Sequence, residues 1–128
     1  MRTWTSLAAA VLLSTWGATA TADTHAVEIA GFSFDPPELT IAVGDSVVWT
    51  NEDSAVHTVT SGVDCTPDGY FDSGDIGSGN AWGYTFTATG EYPYYCLYHC
   101  PQMEGRITVL EPTPAVEPTW AQIKALFQ

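Results

Sequence analysis

Leu39-Thr40-Ile41-Ala42-Val43-Gly44-Asp45-Ser46-Val47-Val48-Trp49-Thr50-Asn51 is the stretch that decides the fold class. Its first five residues alternate apolar and polar, and Gly44-Asp45 is a turn pair. The run that follows is β-branched and aromatic. A period of two is that of a strand with one buried face, whereas a helix would need apolar residues three and four apart.

Five more segments have the same character. Val27-Glu28-Ile29 alternates. His57-Thr58-Val59-Thr60 alternates and stops at Ser61-Gly62. Trp82-Gly83-Tyr84-Thr85-Phe86-Thr87, Tyr92-Pro93-Tyr94-Tyr95-Cys96 and Arg106-Ile107-Thr108-Val109-Leu110 follow. Pro93 lacks an amide hydrogen, so that amide is expected to face away from a ladder partner. Residues 62–80 are rich in glycine and aspartate and read as a long irregular loop. Seven short strands separated by turns predict an all-β fold, an antiparallel β-sandwich of Greek-key type.

The ends read differently. Residues 1–22 have the pattern of an export signal: Arg2, a mostly apolar run over 7–16, then small-x-small sites at Ala18-Thr19-Ala20 and Ala20-Thr21-Ala22. That run is short for a membrane span, and the mature chain is expected to have none. A periplasmic or otherwise exported location follows. Residues 23–110 form the predicted domain, and 111–118 a stiff Pro-rich linker. Residues 119–128 are predicted as a short C-terminal helix with Trp120, Ile123 and Phe127 on one face.

The formal net charge is −12. Removing residues 1–22 takes Arg2 away and leaves Arg106 and Lys124 against all 15 carboxylates, a net −13. Such a surface repels phosphate backbones, which argues against a nucleic-acid partner. It attracts basic proteins, most strongly at low salt.

The chemistry lies in Cys96-Leu97-Tyr98-His99-Cys100-Pro101-Gln102-Met103. Thiolate, imidazole and thioether are soft or borderline donors that favour copper over magnesium or calcium. Two histidines and a cysteine with a weak axial methionine make the blue-copper set. The loop supplies three donors, and the second histidine must come from elsewhere. Of the two others, His57 opens a strand that can lie beside the one ending at Cys96. His25 precedes the first strand and is expected to be exposed. Phe34, Tyr94 and Phe86 are expected to pack around the thiolate and keep water away.

The residues resemble the small cupredoxins of the plastocyanin, amicyanin and pseudoazurin group. The matching stretches include Phe32-Ser33-Phe34-Asp35-Pro36, 43–53, His57-Thr58-Val59-Thr60, Gly90-Glu91-Tyr92-Pro93-Tyr94-Tyr95-Cys96, His99 and Met103-Glu104-Gly105. The likeness covers about residues 27–110. It implies a cupredoxin-like sandwich holding one type 1 copper, with His57, Cys96 and His99 equatorial and Met103 axial. It also implies electron transport, with the His99 edge as electron port in an apolar patch. Two departures stand out. Three residues separate His99 from Met103, against two in amicyanins and four in plastocyanins. Thr58 follows His57 where those proteins usually carry asparagine.

Three cysteines in an exported chain leave one over. With Cys96 on the metal, a Cys65–Cys100 disulfide is predicted. A free Cys100 thiol and a binuclear site using Cys96 and Cys100 are the alternatives; the latter also needs a histidine that 101–110 lack.

The function expected is a type 1 copper protein, not an enzyme, shuttling single electrons between periplasmic redox partners, either basic proteins or a c-type cytochrome. Residues 118–127 resemble the first helix of a c-type cytochrome domain. The alternative is a periplasmic copper-delivery protein, which the scarcity of methionine (Met1 and Met103 alone) disfavours.

Overall fold

A computed structural model describes residues 21–112 of the 128. Nearly all of the predicted signal, the linker beyond Pro112 and the predicted C-terminal helix lie outside the described residues.

Among the described residues there are nine strands: β1 (Thr24–Ala30), β2 (Ser33–Asp35), β3 (Glu38–Ala42), β4 (Ser46–Asn51), β5 (Thr60–Val63), β6 (Thr66–Asp72), β7 (Ala81–Thr85), β8 (Gly90–Tyr95) and β9 (Glu104–Leu110). They form two sheets, β2-β1-β4-β7 and β3-β9-β8-β5-β6. The all-β sandwich expected from the alternation is present.

Three expectations about strand placement and pairing need correction. The sandwich is not wholly antiparallel: β1 pairs parallel with β4, and β3 parallel with β9. Period-two burial is the same in both orientations, so the pattern could not separate them. The stretch read as an irregular loop contains most of the β5–β6 hairpin. Of the predicted strand 57–60 only Thr60 is in β5, while His57 makes an isolated bridge to Ile76. The β5–β8 ladder covers Tyr94 and Tyr95 and stops short of Pro93, in keeping with the missing amide hydrogen.

Strand β4 shows how sequence becomes packing. Val47, Trp49 and Asn51 are buried, and the residues between them are half-buried. Trp49 meets Trp82 at 5.5 Å and Tyr94 at 5.5 Å between ring centroids, so one indole bridges the two sheets. Burying a side chain of Val, Ile or Phe size contributes about 1.5–3 kcal/mol relative to exposure. Cys96 and Met103 belong to this same core cluster, so they are held by the core rather than by mobile loops.

The turn after β3 locks the far end. Gly44 has φ +93, a conformation costly for other residues. The Asp45 carboxylate accepts the amides of Asp23 (2.9 Å) and Ala42 (3.1 Å) and meets His25 Nε2 at 2.9 Å. His25 thus lies within β1 and is partnered, not free ahead of it as expected.

The Asp23 amide, then the His25 ring and the Ala42 amide, pull the Asp45 carboxyl from 3.8 down to about 2. A lowered folded-state pKa means the stabilisation is complete above the unfolded value and is lost as pH falls towards the folded one. Thermal unfolding followed downwards from about pH 5 should show stability falling between about pH 4 and 2. Asp45→Asn should flatten that limb; an unchanged acid limb would contradict the assignment.

Candidate metal centre

His57 is placed by a chain of hydrogen bonds that begins in β4. The buried Asn51 donates Nδ2 to the carbonyls of Ala55 (2.8 Å) and Ile76 (2.9 Å) and accepts the Asp53 amide (2.9 Å). This fixes the connection from β4 to His57. The His57 backbone then exchanges two hydrogen bonds with Ile76.

Asp53 ties this segment to the β1–β2 turn. Its carboxylate accepts the amides of Gly31 (2.7 Å) and Phe32 (3.0 Å) and meets His57 Nε2 at 2.9 Å. The Phe32 amide is the largest cause holding the Asp53 carboxyl below its usual range, while burial opposes it. A carboxylate only accepts, so Nε2 carries the imidazole proton and Nδ1 is left with its lone pair.

That Nδ1 faces the Cys96 sulfur at 3.7 Å, and His99 Nδ1 lies 3.4 Å from the same sulfur. The donor atoms of His57, Cys96 and His99 all lie within 4.8 Å of one another. His57 and Cys96 are fully buried and His99 is half-buried. A first-row ion about 2.0 Å from nitrogen and about 2.3 Å from sulfur, in trigonal geometry, would set the two donors about 3.7 Å apart. The spacing therefore suits one ion held by a thiolate and two imidazoles, and that soft donor set suits copper.

The loop carrying Cys96 and His99 is closed by its own backbone. Cys96 N–H donates to Met103 O (3.1 Å), His99 N–H to Cys96 O (3.3 Å) and Met103 N–H to His99 O (3.1 Å). Met103 is fully buried. The Thr58 amide donates to the Cys96 sulfur at 3.4 Å, and the Thr58 hydroxyl accepts the Leu97 amide at 2.9 Å. Threonine, in the place where asparagine was the family expectation, thus joins the two segments that carry the donors.

Cys65 and Cys100 form a disulfide, so Cys100 is neither a free thiol nor a second metal ligand beside Cys96. The bond fastens the residue after His99 to the turn of the β5–β6 hairpin. Cys96 is the one free cysteine.

Phe34, Tyr94 and Phe86 share the core with Cys96, but the ring against the imidazoles is Phe32, which residue type alone did not single out. Its centroid lies 5.3 Å from that of His57 and 4.8 Å from that of His99. Gly31-Phe32, both at positive φ, form the turn whose amides Asp53 receives. Exposed Phe32, Val56, Leu97 and Tyr98 lie beside the site in space or sequence. Asn51 and Asp53 were also missed as positioning residues; the polar pair near His57 was the only signal.

Residues 21–110 match the family of copper binding proteins, plastocyanin/azurin family. The chain is 32% identical over 93 residues to amicyanin of Paracoccus denitrificans, covering 65% of this chain and 63% of that protein, somewhat less than two thirds of the relative's length. A purple cupredoxin from Nitrosopumilus maritimus aligns with TM-score 0.62 and 30% identity over 67% of this chain and 99% of that one. A copper-containing nitrite reductase from Thermus scotoductus SA-01 aligns with TM-score 0.61 and 34% identity over 70% of this chain but 23% of its own. On this match, which spans its β-sandwich and all three clustered donors, the chain belongs to the plastocyanin/azurin family of copper-binding proteins.

Proposed function

We propose that this protein is an exported one-electron carrier that would hold one copper ion through His57, Cys96 and His99, with the buried Met103 thioether as a further, weaker ligand. The observation that carries the reading is the convergence of one buried thiol and two imidazole Nδ1 atoms from separate segments. Copper supplies a one-electron couple whose two states favour different coordination geometries. The protein's contribution is to resist that rearrangement. Asn51 and Asp53 hold His57, and three backbone bonds and a disulfide hold the loop. The Thr58 amide steadies the sulfur, since hydrogen bonds to a ligating thiolate tune its potential.

His99 is the electron port. It is the more exposed of the two imidazoles and is flanked by Phe32, Leu97 and Tyr98. An apolar surface there lets a partner exclude water and approach closely, and acidic charge elsewhere draws in a basic redox protein or a c-type cytochrome. Copper delivery is the weaker reading. Exchange needs accessible ligands, and His57, Cys96 and Met103 are fully buried.

Stopped-flow mixing of the reduced, copper-loaded protein with an oxidised basic c-type cytochrome tests the proposal. One electron should pass per copper, at a rate that falls as salt rises. Copper moving to a chelator faster than the electron moves would support delivery instead.

A further inference from the structure

The Thr58 hydroxyl that receives the Leu97 amide is not the end of its chain of contacts. Thr58 Oγ1 lies 3.1 Å from Thr60 Oγ1, and Thr60 Oγ1 donates to Asp72 Oδ1 at 3.2 Å. Both threonines are 1% exposed. Asp72 sits opposite Thr60 in the β5–β6 hairpin, and its Oδ1 also accepts the Gly74 amide at 2.9 Å.

The proton directions follow by elimination. A carboxylate has no proton to give, so the Thr60 hydroxyl donates to Asp72. The Thr60 oxygen is then free to accept from Thr58, and the Thr58 oxygen to accept from Leu97 N–H. All the dipoles run one way, from the amide next to Cys96 to a negative charge at the surface. Buried bonds aligned in this way polarise one another and are stronger than isolated ones.

We propose that Asp72 is a positioning residue for the metal centre, acting through a buried Thr60–Thr58 hydroxyl relay that anchors the Leu97 amide and carries negative charge towards the Cys96 sulfur. The proposal rests on the electron-carrier reading. Negative charge near the centre favours the oxidised, more positive state. The hairpin that holds Asp72 thereby takes part in setting the potential, although none of its side chains is a ligand.

Asp72→Asn keeps an acceptor oxygen and removes the charge, while Thr60→Val keeps the shape and breaks the chain. In copper-loaded protein at fixed ambient potential, each should lower the oxidised-to-reduced ratio by about three- to tenfold, tenfold corresponding to 59 mV for one electron. If the relay carries the effect, the double variant should shift no further than the larger single. Asp64→Asn, which removes an exposed carboxylate from the same hairpin, should change the ratio by less than about twofold, as a screened surface charge does. In copper-free protein the Leu97 amide should exchange with solvent about fivefold faster in Thr60→Val, the equivalent of one lost net hydrogen bond.

Equal shifts from Asp72→Asn and Asp64→Asn, full additivity of Asp72→Asn with Thr60→Val, or unchanged Leu97 exchange would each overturn the relay. Absence of thiolate–copper absorption in the parent protein would instead overturn the electron-carrier reading, and Leu97 exchange would still report on the relay.

Discussion

Cys96→Ser should abolish the intense visible absorption of the Cu(II)-loaded protein and lower copper affinity by more than about 100-fold. Loss of an outer-shell partner alone typically costs 10–100-fold, and this substitution removes a ligand. The absorption arises from charge transfer between thiolate and copper, which a hydroxyl does not supply. The change is small in volume, and the backbone bond from Cys96 N–H to Met103 O does not involve the side chain. The variant should therefore stay folded with His57 and His99 in place. Comparing unfolding of the copper-free variant with that of copper-free parent separates loss of the site from loss of the fold. A variant that keeps the absorption would remove Cys96 from the ligand set.

Replacing both Cys65 and Cys100 by serine should lower stability by about 2–4 kcal/mol, from the loop of 35-residue separation that the disulfide closes. For a domain of this size that corresponds to a fall in Tm of roughly 10–25 °C. The effect on the copper centre should be separate and local. Cys100 directly follows His99, and the bond to Cys65 is what fastens the loop to the β5–β6 turn. Without it the loop keeps its own backbone bonds, the Leu97 amide on Thr58 and the Phe32 ring against His99, but loses its covalent tie to the hairpin, and the visible and EPR spectra should broaden as the site samples more geometries. An unchanged Tm would show that the hairpin and the ligand loop are held together by other contacts.

Cys96 and His99 were legible in the sequence because they are close neighbours of distinctive type. His57 was recoverable because three histidines leave few candidates and His25 lacked a strand-end setting. The hairpin partner of the Cys96–Met103 loop was not legible. Strand β6 is exposed at every position but Phe71, so it shows no alternation, and Pro67 and Gly69 interrupt its strand-forming Thr66, Tyr70 and Phe71. The β1–β4 and β3–β9 parallel pairs were hidden because alternation records burial, not strand direction. The roles of Asp53 and Phe32 depend on contacts across about twenty residues of chain, and nothing local distinguishes Asp53 from the neighbouring Glu52. The relay through Thr58, Thr60 and Asp72 has the same origin. Thr58 and Thr60 look like ordinary strand residues until β6 is seen to bring a carboxylate opposite Thr60.

One sulfur and two imidazole nitrogens are expected to bind a single copper ion. X-ray absorption at the copper edge tests it most directly, on protein loaded with one equivalent of Cu(II). The expected result is a first shell of one short sulfur and two imidazole nitrogens, with the sulfur scatterer gone in Cys96→Ser. A shell of nitrogen and oxygen alone in the parent protein would contradict it.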